Sequence, residues 1–441
     1  MRGLRIALLL VLGLGTGCHC SAPHRAADQA ATATEEQGRT SAATRDLPRA
    51  EVPSSAAAGA SAGPGPAGTA QGSGMPAAEG SAPGTGTSPA RPGAARATSC
   101  QAPSLQVREP IDARDLEAIS RCRDLRSDMG SGAGCGEGGE VPTLELDRLE
   151  ASVLPLDEAT VAHVREIAQR GRDLGRNPRA FGLVGDSMTV SYDFMRPFSA
   201  DRPGRYEIAP ELQRTLELSL PGQVSSIVDY YRGAQVERIG AKWADSFAAG
   251  KAAKVGARSA WATGAMAGDA EEHSPLATMV RSISPELVAL AYGGNDAAYR
   301  VAPPDEVARD FERDFGRVLD ALERRGIVPI LSTIARHGVQ PGRADCAPGA
   351  AEMSNWRLAV QTNAINAAVI DVACRRHLPL VDLRYALDGL PGRGLGKDGV
   401  HPTAFRGGAG MLTPRGMACG YNVRNYLTLR MLREVKAALG V

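Results

Sequence analysis

The chain has 441 residues, with 43% hydrophobic and only 4% aromatic content, so any core must be built mainly from Val, Leu, Ile and Ala. Fifty basic residues against 49 acidic ones leave a net charge of +1. The basic residues are nearly all Arg, interspersed with acids, which argues against a phosphate-binding surface and excludes nucleic acid as an expected partner.

Residues 1–5 carry Arg2 and Arg5, residues 6–14 are almost continuously apolar, and Gly15, Thr16, Gly17 and Cys18 follow. A basic start, a short apolar run and a small-residue exit predict a signal peptide over 1–20. The run is too short to anchor in a bilayer, which takes ~20 residues. Cys18 stands where a lipoprotein signal places its lipidated cysteine, although Gly15 occupies the position where Leu is usual. The alternative is cleavage near Ala22, and both readings export the protein. The membrane is therefore expected as a partner only through an N-terminal lipid anchor.

Residues 21–99 are dominated by Ala, Gly, Ser, Thr and Pro, and 56–68 contain no large apolar side chain. Such a segment cannot bury enough surface to offset its ordering entropy, so a tether is expected. Residues 100–176 read as an extension with three cysteines, a helical pattern over 112–125, a glycine-rich stretch over 130–139 and an amphipathic helix over 156–175.

Export also bears on the cysteines. Those at 100, 122, 135, 346, 374 and 419 allow three disulfides in 15 connectivities. Cys374, at helical spacing from Ile370, alternatively reads as a buried core thiol. No CxxC pair suggests zinc, and no metal or other cofactor is expected.

From 177 onward, short apolar runs alternate with helical patterns. Strands are expected at 181–184, 227–231, 287–292, 327–334 and 379–383. Helices are expected at 304–325, 353–377 and 416–439, the first with Val307, Phe311, Phe315, Val318, Leu319 and Leu322 on one side. This alternation predicts an α/β fold with a parallel sheet, whose chemistry sits at the C-terminal ends of the strands.

Three polar clusters fall at or after those ends. Gly185-Asp186-Ser187 places a serine on a tight turn after a strand. Gly293-Gly294-Asn295-Asp296 offers close backbone approach and an amide donor. Asp398-Gly399-Val400-His401-Pro402 sets a carboxylate and an imidazole three residues apart, so that the Asp can fix the ring's tautomer. His19, His24, His163, His273, His337 and His377 read as ordinary surface or satisfied core residues.

The order GDS, GGND, DGVHP along an alternating chain resembles the SGNH-hydrolase (GDSL-type esterase) superfamily over 177–441. The resemblance implies a three-layer α/β/α fold with a five-stranded parallel, flavodoxin-like sheet. It implies Ser187 as nucleophile, Asp398 and His401 as its partners, and an oxyanion hole from the Ser187 N–H, the Asn295 amide and a glycine. Within 253–259 (AKVGARS) that glycine is Gly256, with Gly264 as the alternative. The C-terminal run 420–425 (GYNVRN) resembles exported bacterial members, and a helix-start and packing role is assigned to it.

An exported serine esterase without cofactors is thus expected, monomeric, acting on a small-molecule or carbohydrate ester. An acyltransferase or a silent carbohydrate-binding lipoprotein would use the same cleft. Loops over 191–222 and 341–353 are expected to wall the pocket.

Overall fold

The molecule is described from a computed structural model, which describes residues 135–136, 143–264, 271–337, 350–396 and 398–441, without side chains at 350–357. The signal peptide with Cys18, the tether, the helix expected over 112–125 and most of the loop 341–353 lie outside these residues, as do Cys100, Cys122 and Cys346. All described residues belong to one unit, 88–441.

Eleven elements position the site. They are α1 (Leu146–Ala151), α2 (Glu158–Asp173), β1 (Asn177–Gly185), β2 (Ala252–Ala253), α3 (Pro275–Ile283), β3 (Pro285–Ala291), α4 (Pro304–Arg324), β4 (Val328–Ser332), α5 (Ala350–Arg376), β5 (Leu380–Val381) and α6 (Gly420–Ala438). The five strands form one parallel sheet in the order β5-β4-β3-β1-β2. This is the flavodoxin-like arrangement. Helices flank the sheet, α4 packing on α5 and α2 on α6, which gives the three-layer α/β/α fold.

Local chemistry accounts for the helices. In α4, Pro304 starts the helix, Asp305 and Glu306 complement its positive end, and Val307, Phe311, Phe315, Val318, Leu319 and Leu322 are buried at helical spacing. Phe311 and Phe315 stack with centroids 4.9 Å apart. In α2, the Asp157 carboxylate accepts the Thr160 N–H at 2.8 Å. Every residue of β3 is buried, as a central parallel strand covered on both faces requires.

The strand expected at 227–231 is instead a helix, Ile227–Arg232. β-branched and aromatic side chains suggested extended chain, but the Ser226 hydroxyl caps the segment by accepting the Asp229 N–H at 3.0 Å. Ile227, Val228, Tyr230 and Tyr231 are then buried at helical spacing. The sheet's edge is taken by β2, two alanines that carry no strand signal.

Residues 143–176 are packed against the sheet rather than set apart. Val153 bridges Val381, and the Leu154 N–H donates to Leu380 O at 3.2 Å. Cys135 is bonded to Cys419 with Cα atoms 5.4 Å apart. Cys374 is disulfide-bonded too, correcting its reading as a core thiol. Among the described residues, no helix is long and apolar enough to cross a membrane.

Candidate active site

Sheet register brings the site together. Gly185, the last residue of β1, is level with Ala291 of β3 on one side and with Ala253 of β2 on the other. The segments that leave these strands therefore emerge side by side: Asp186-Ser187, Gly293–Asn295 and 254–257. Gly185 has to be glycine, since a Cβ there would lie 2.2 Å from Thr189 Oγ1 and 2.6 Å from Ala291 O.

Ser187 opens the short helix Ser187–Val190, whose cap is Asp186: its Oδ1 accepts the Met188 N–H at 3.0 Å. Asp186 is buried, and burial raises its carboxyl above the ordinary range, an effect opposed by the Arg424 guanidinium.

The Ser187 hydroxyl lies 2.9 Å from His401 Nε2, and His401 Nδ1 lies 2.6 Å from Asp398 Oδ2. A carboxylate can only accept, so the ring proton resides on Nδ1 and Nε2 is left to accept from the serine. The other Asp398 oxygen accepts the Val400 and His401 N–H groups, both at 3.0 Å. Burial alone would raise the Asp398 carboxyl, but the bonds from Val400 and from the His401 ring and backbone outweigh it and hold it below its usual range. The loop closes on itself where Leu395 bridges Pro402 and the Gly396 N–H donates to His401 O at 2.8 Å.

Asn295 lies in the short helix Gly294–Ala298, and its amide donates to Ala257 O at 3.1 Å. This bond leaves the second amide N–H of Asn295 for another acceptor. It also places Gly256, at φ 75°, directly beside Asn295. Among the described residues, neither the Ser187 N–H nor the Gly256 N–H has a hydrogen-bond partner, whereas the Gly264 N–H is committed to Trp261 O at 3.1 Å. Gly264 ends the short helix Ser259–Thr263.

A family model, described as the GDSL-like Lipase/Acylhydrolase family, matches residues 183–405, just over half of the chain. The chain belongs to this family. No curated protein matches it. Membership in the GDSL-like lipase/acylhydrolase family supports an esterase or acylhydrolase activity in general terms.

Two features of this GDSL-like site go beyond the sequence reading, the second being a link between two loops made by the run 420–425, which starts a helix and packs as expected. His337 is fully buried and, among the described residues, neither ring nitrogen is hydrogen-bonded, so it is not the satisfied core residue expected. Its ring packs on Gly294, and burial lowers its pKa to about 4. It therefore stays neutral beside the site.

The second is the first turns of α6. Asn422 accepts the Phe405 N–H at 3.1 Å and donates to Gly408 O and Met411 O. Asn425 accepts the Met195 N–H at 2.9 Å and donates to Asp193 O and Ala409 O. Arg424 donates to Met188 O at 2.7 Å. This turn thus joins the loop after Ser187 to the loop after His401. The signal was available: three polar side chains, Asn422, Arg424 and Asn425, interrupt an apolar helix. Among the described residues, no group of three or more His, Cys, Asp or Glu is arranged to hold a metal.

Proposed function

We propose that the protein is an exported serine esterase that hydrolyses carboxylic esters, with acylated carbohydrate as its substrate class. The observation that carries this reading is the unbroken relay from Ser187 through His401 to Asp398, with contacts of 2.9 and 2.6 Å.

In the proposed reaction, Ser187 Oγ attacks the ester carbonyl carbon while its proton passes to His401 Nε2. Asp398 stabilises the imidazolium and fixes the ring. The carbonyl oxygen becomes an oxyanion, met by the Ser187 and Gly256 N–H groups and the Asn295 amide. The C–O bond to the alcohol breaks, and the alcohol leaves with the proton from Nε2. Water then loses a proton to Nε2 and attacks the acyl-enzyme; as the bond from the acyl carbon to Oγ breaks, Nε2 returns that proton to Oγ, which releases the acid and regenerates Ser187.

Export is supported by the N-terminal sequence and by the Cys135–Cys419 bond, which suits an oxidising compartment. A carbohydrate substrate is supported by Tyr192 and Tyr299. Both are largely exposed, and the Tyr299 hydroxyl stands 3.5 Å from where a Gly256 Cβ would be. Their rings offer flat apolar faces, that of Tyr299 beside the segment carrying Gly256.

The test is hydrolysis of a short-chain aryl ester and of acetylated oligosaccharides. Ser187→Ala is expected to lower turnover by at least ~10³ with an unchanged melting temperature. Equal rates in both proteins would overturn the serine mechanism.

A further inference from the structure

Behind the nucleophile helix lie two cations that the proposed mechanism does not use, Arg424 buried and Lys251 half-buried. Lys251 immediately precedes β2, and its Nζ donates to Thr189 O at 2.9 Å and to Ser191 O and Phe194 O, both at 3.4 Å. Arg424, from α6, donates to Met188 O at 2.7 Å and to Thr189 Oγ1 at 3.1 Å, and its guanidinium lies 3.7 Å from the centre of the Phe194 ring. The two side chains thus bind the carbonyls of Met188, Thr189, Ser191 and Phe194, which end the helix Ser187–Val190 and continue into the next loop. Arg424 lies outside the stretch 183–405 that matches the family.

Setting two like charges against one short stretch of chain, with Arg424 buried, is costly unless something requires them there. A four-residue helix cannot hold its own geometry, because its last carbonyls have no intrahelical partners. The two cations supply those partners. Lys251 also joins two parts of the site. Three residues after it, the Lys254 N–H donates to Gly185 O at 3.3 Å, and Gly256 follows. One short segment therefore braces the serine through a side chain and carries a proposed oxyanion donor on its backbone.

We propose that Lys251 and Arg424 form a cationic clamp on the nucleophile helix, and that the Lys251 ammonium is a positioning residue that keeps Ser187 aligned with Gly256 for attack. This rests on the serine-esterase reading of the site.

The clamp has a built-in pH range. Burial lowers the Lys251 pKa to about 8, helped by Arg424 and Arg196. Arg424 and Arg196 are the charged groups that bear on it. Arg196 is engaged by Asp201, Arg424 faces Asp186 and Tyr421, and Asp193 lies on the clamped loop with its carboxyl raised by burial. The ammonium has three N–H donors for three carbonyls. A neutral amine has only two, without the charge that strengthens them. Alignment of Ser187 therefore loosens as pH rises through about 8.

The test measures kcat and KM for an aryl ester from pH 6 to 10 in the full-length protein, K251R and K251M, alongside the rate of Ser187 labelling by a fluorophosphonate. The wild type is expected to lose about fivefold to tenfold in kcat with a midpoint near 8, with KM within twofold. K251R keeps its charge across the range, so the fall is expected to disappear. K251M is expected to show a kcat about tenfold lower at pH 7, with no alkaline fall, and labelling rates are expected to follow kcat. If K251M does not fold, K251R alone decides. An unchanged midpoint in K251R, or a K251M profile that matches the wild type, would overturn the clamp. A wild type that fails to label would overturn the serine reading on which the clamp rests.

Discussion

Asp296 Oδ1 accepts the Ser259 hydroxyl at 2.8 Å, and both carboxylate oxygens face the Ser259 N–H, at 3.1 and 3.2 Å. This bond ties the segment carrying Gly256 to the helix carrying Asn295, so two proposed oxyanion donors share one brace. Burial raises the Asp296 pKa from 3.8 to about 6, a rise that the Ser259 bonds and Arg258 oppose and that Asp186 reinforces.

The sign of the resulting pH dependence follows from proton counting. Between about pH 4 and 6 the folded state holds a proton on Asp296 that the unfolded state has released. Stability from this group is thus present below pH 4 and lost as pH rises through 6, on the order of 3 kcal/mol in all. Asp296→Asn cannot titrate. The difference between the wild-type and Asp296→Asn unfolding free energies, measured by denaturant titration at several pH values, is expected to change across that window. A constant difference would contradict the assignment.

Asn295 directs one amide N–H to Ala257 O and has a second to offer. Asn295→Ala is expected to lower kcat by about 10²–10³, with KM within a few fold, because an oxyanion donor acts mainly in the transition state. Steady-state kinetics on an aryl ester checks this. A change confined to KM would assign Asn295 to ground-state binding instead.

Lys436 Nζ donates to Glu286 Oε2 at 2.7 Å, and both side chains are buried between α6 and β3. Removing one partner leaves a charge buried alone. Lys436→Met is expected to destabilise by about 3–5 kcal/mol. Adding Glu286→Gln should restore a substantial part of that loss, so chemical denaturation of both variants separates loss of the pair from loss of packing.

Cys135–Cys419 spans 284 residues of sequence and fixes the start of α6, the helix that joins the loops after Ser187 and His401. Cys419→Ser is expected to cost about 2–5 kcal/mol and lower the melting temperature. Activity at 25 °C should survive wherever the variant stays folded, because Ser187, His401 and Asp398 do not touch the bond.

Much of the fold was legible because its signals are local. The helix 304–325 was readable from Phe311, Phe315 and Leu322 at regular spacing, and the buried run at 287–291 declared a central strand. Local signals failed where the decision is made elsewhere. Ile227 to Tyr231 look like a strand, yet Ser226 caps them into a helix. Ala252 and Ala253 look like nothing, yet they complete the sheet because β1 presents an unpaired edge at Val184 and Gly185. His337 looked ordinary because its isolation depends on which groups fail to reach it.

The candidate site divides along the same line. Sequence by itself determined the chemistry at hand: a serine after a strand, an Asp and a His three residues apart, and an amide beside paired glycines. Each depends on residue type and short spacing, which a chain carries wherever it folds. Only the tertiary structure decided that Ser187 and His401, 214 residues apart, meet at 2.9 Å. It also separated Gly256, whose N–H has no partner among the described residues, from Gly264, whose N–H is spent, and it revealed Lys251 and Arg424 behind Ser187. Those outcomes depend on strand register and on which carbonyls lie near a buried cation. Register and burial are properties of packed neighbours, and no stretch of sequence contains its own neighbours.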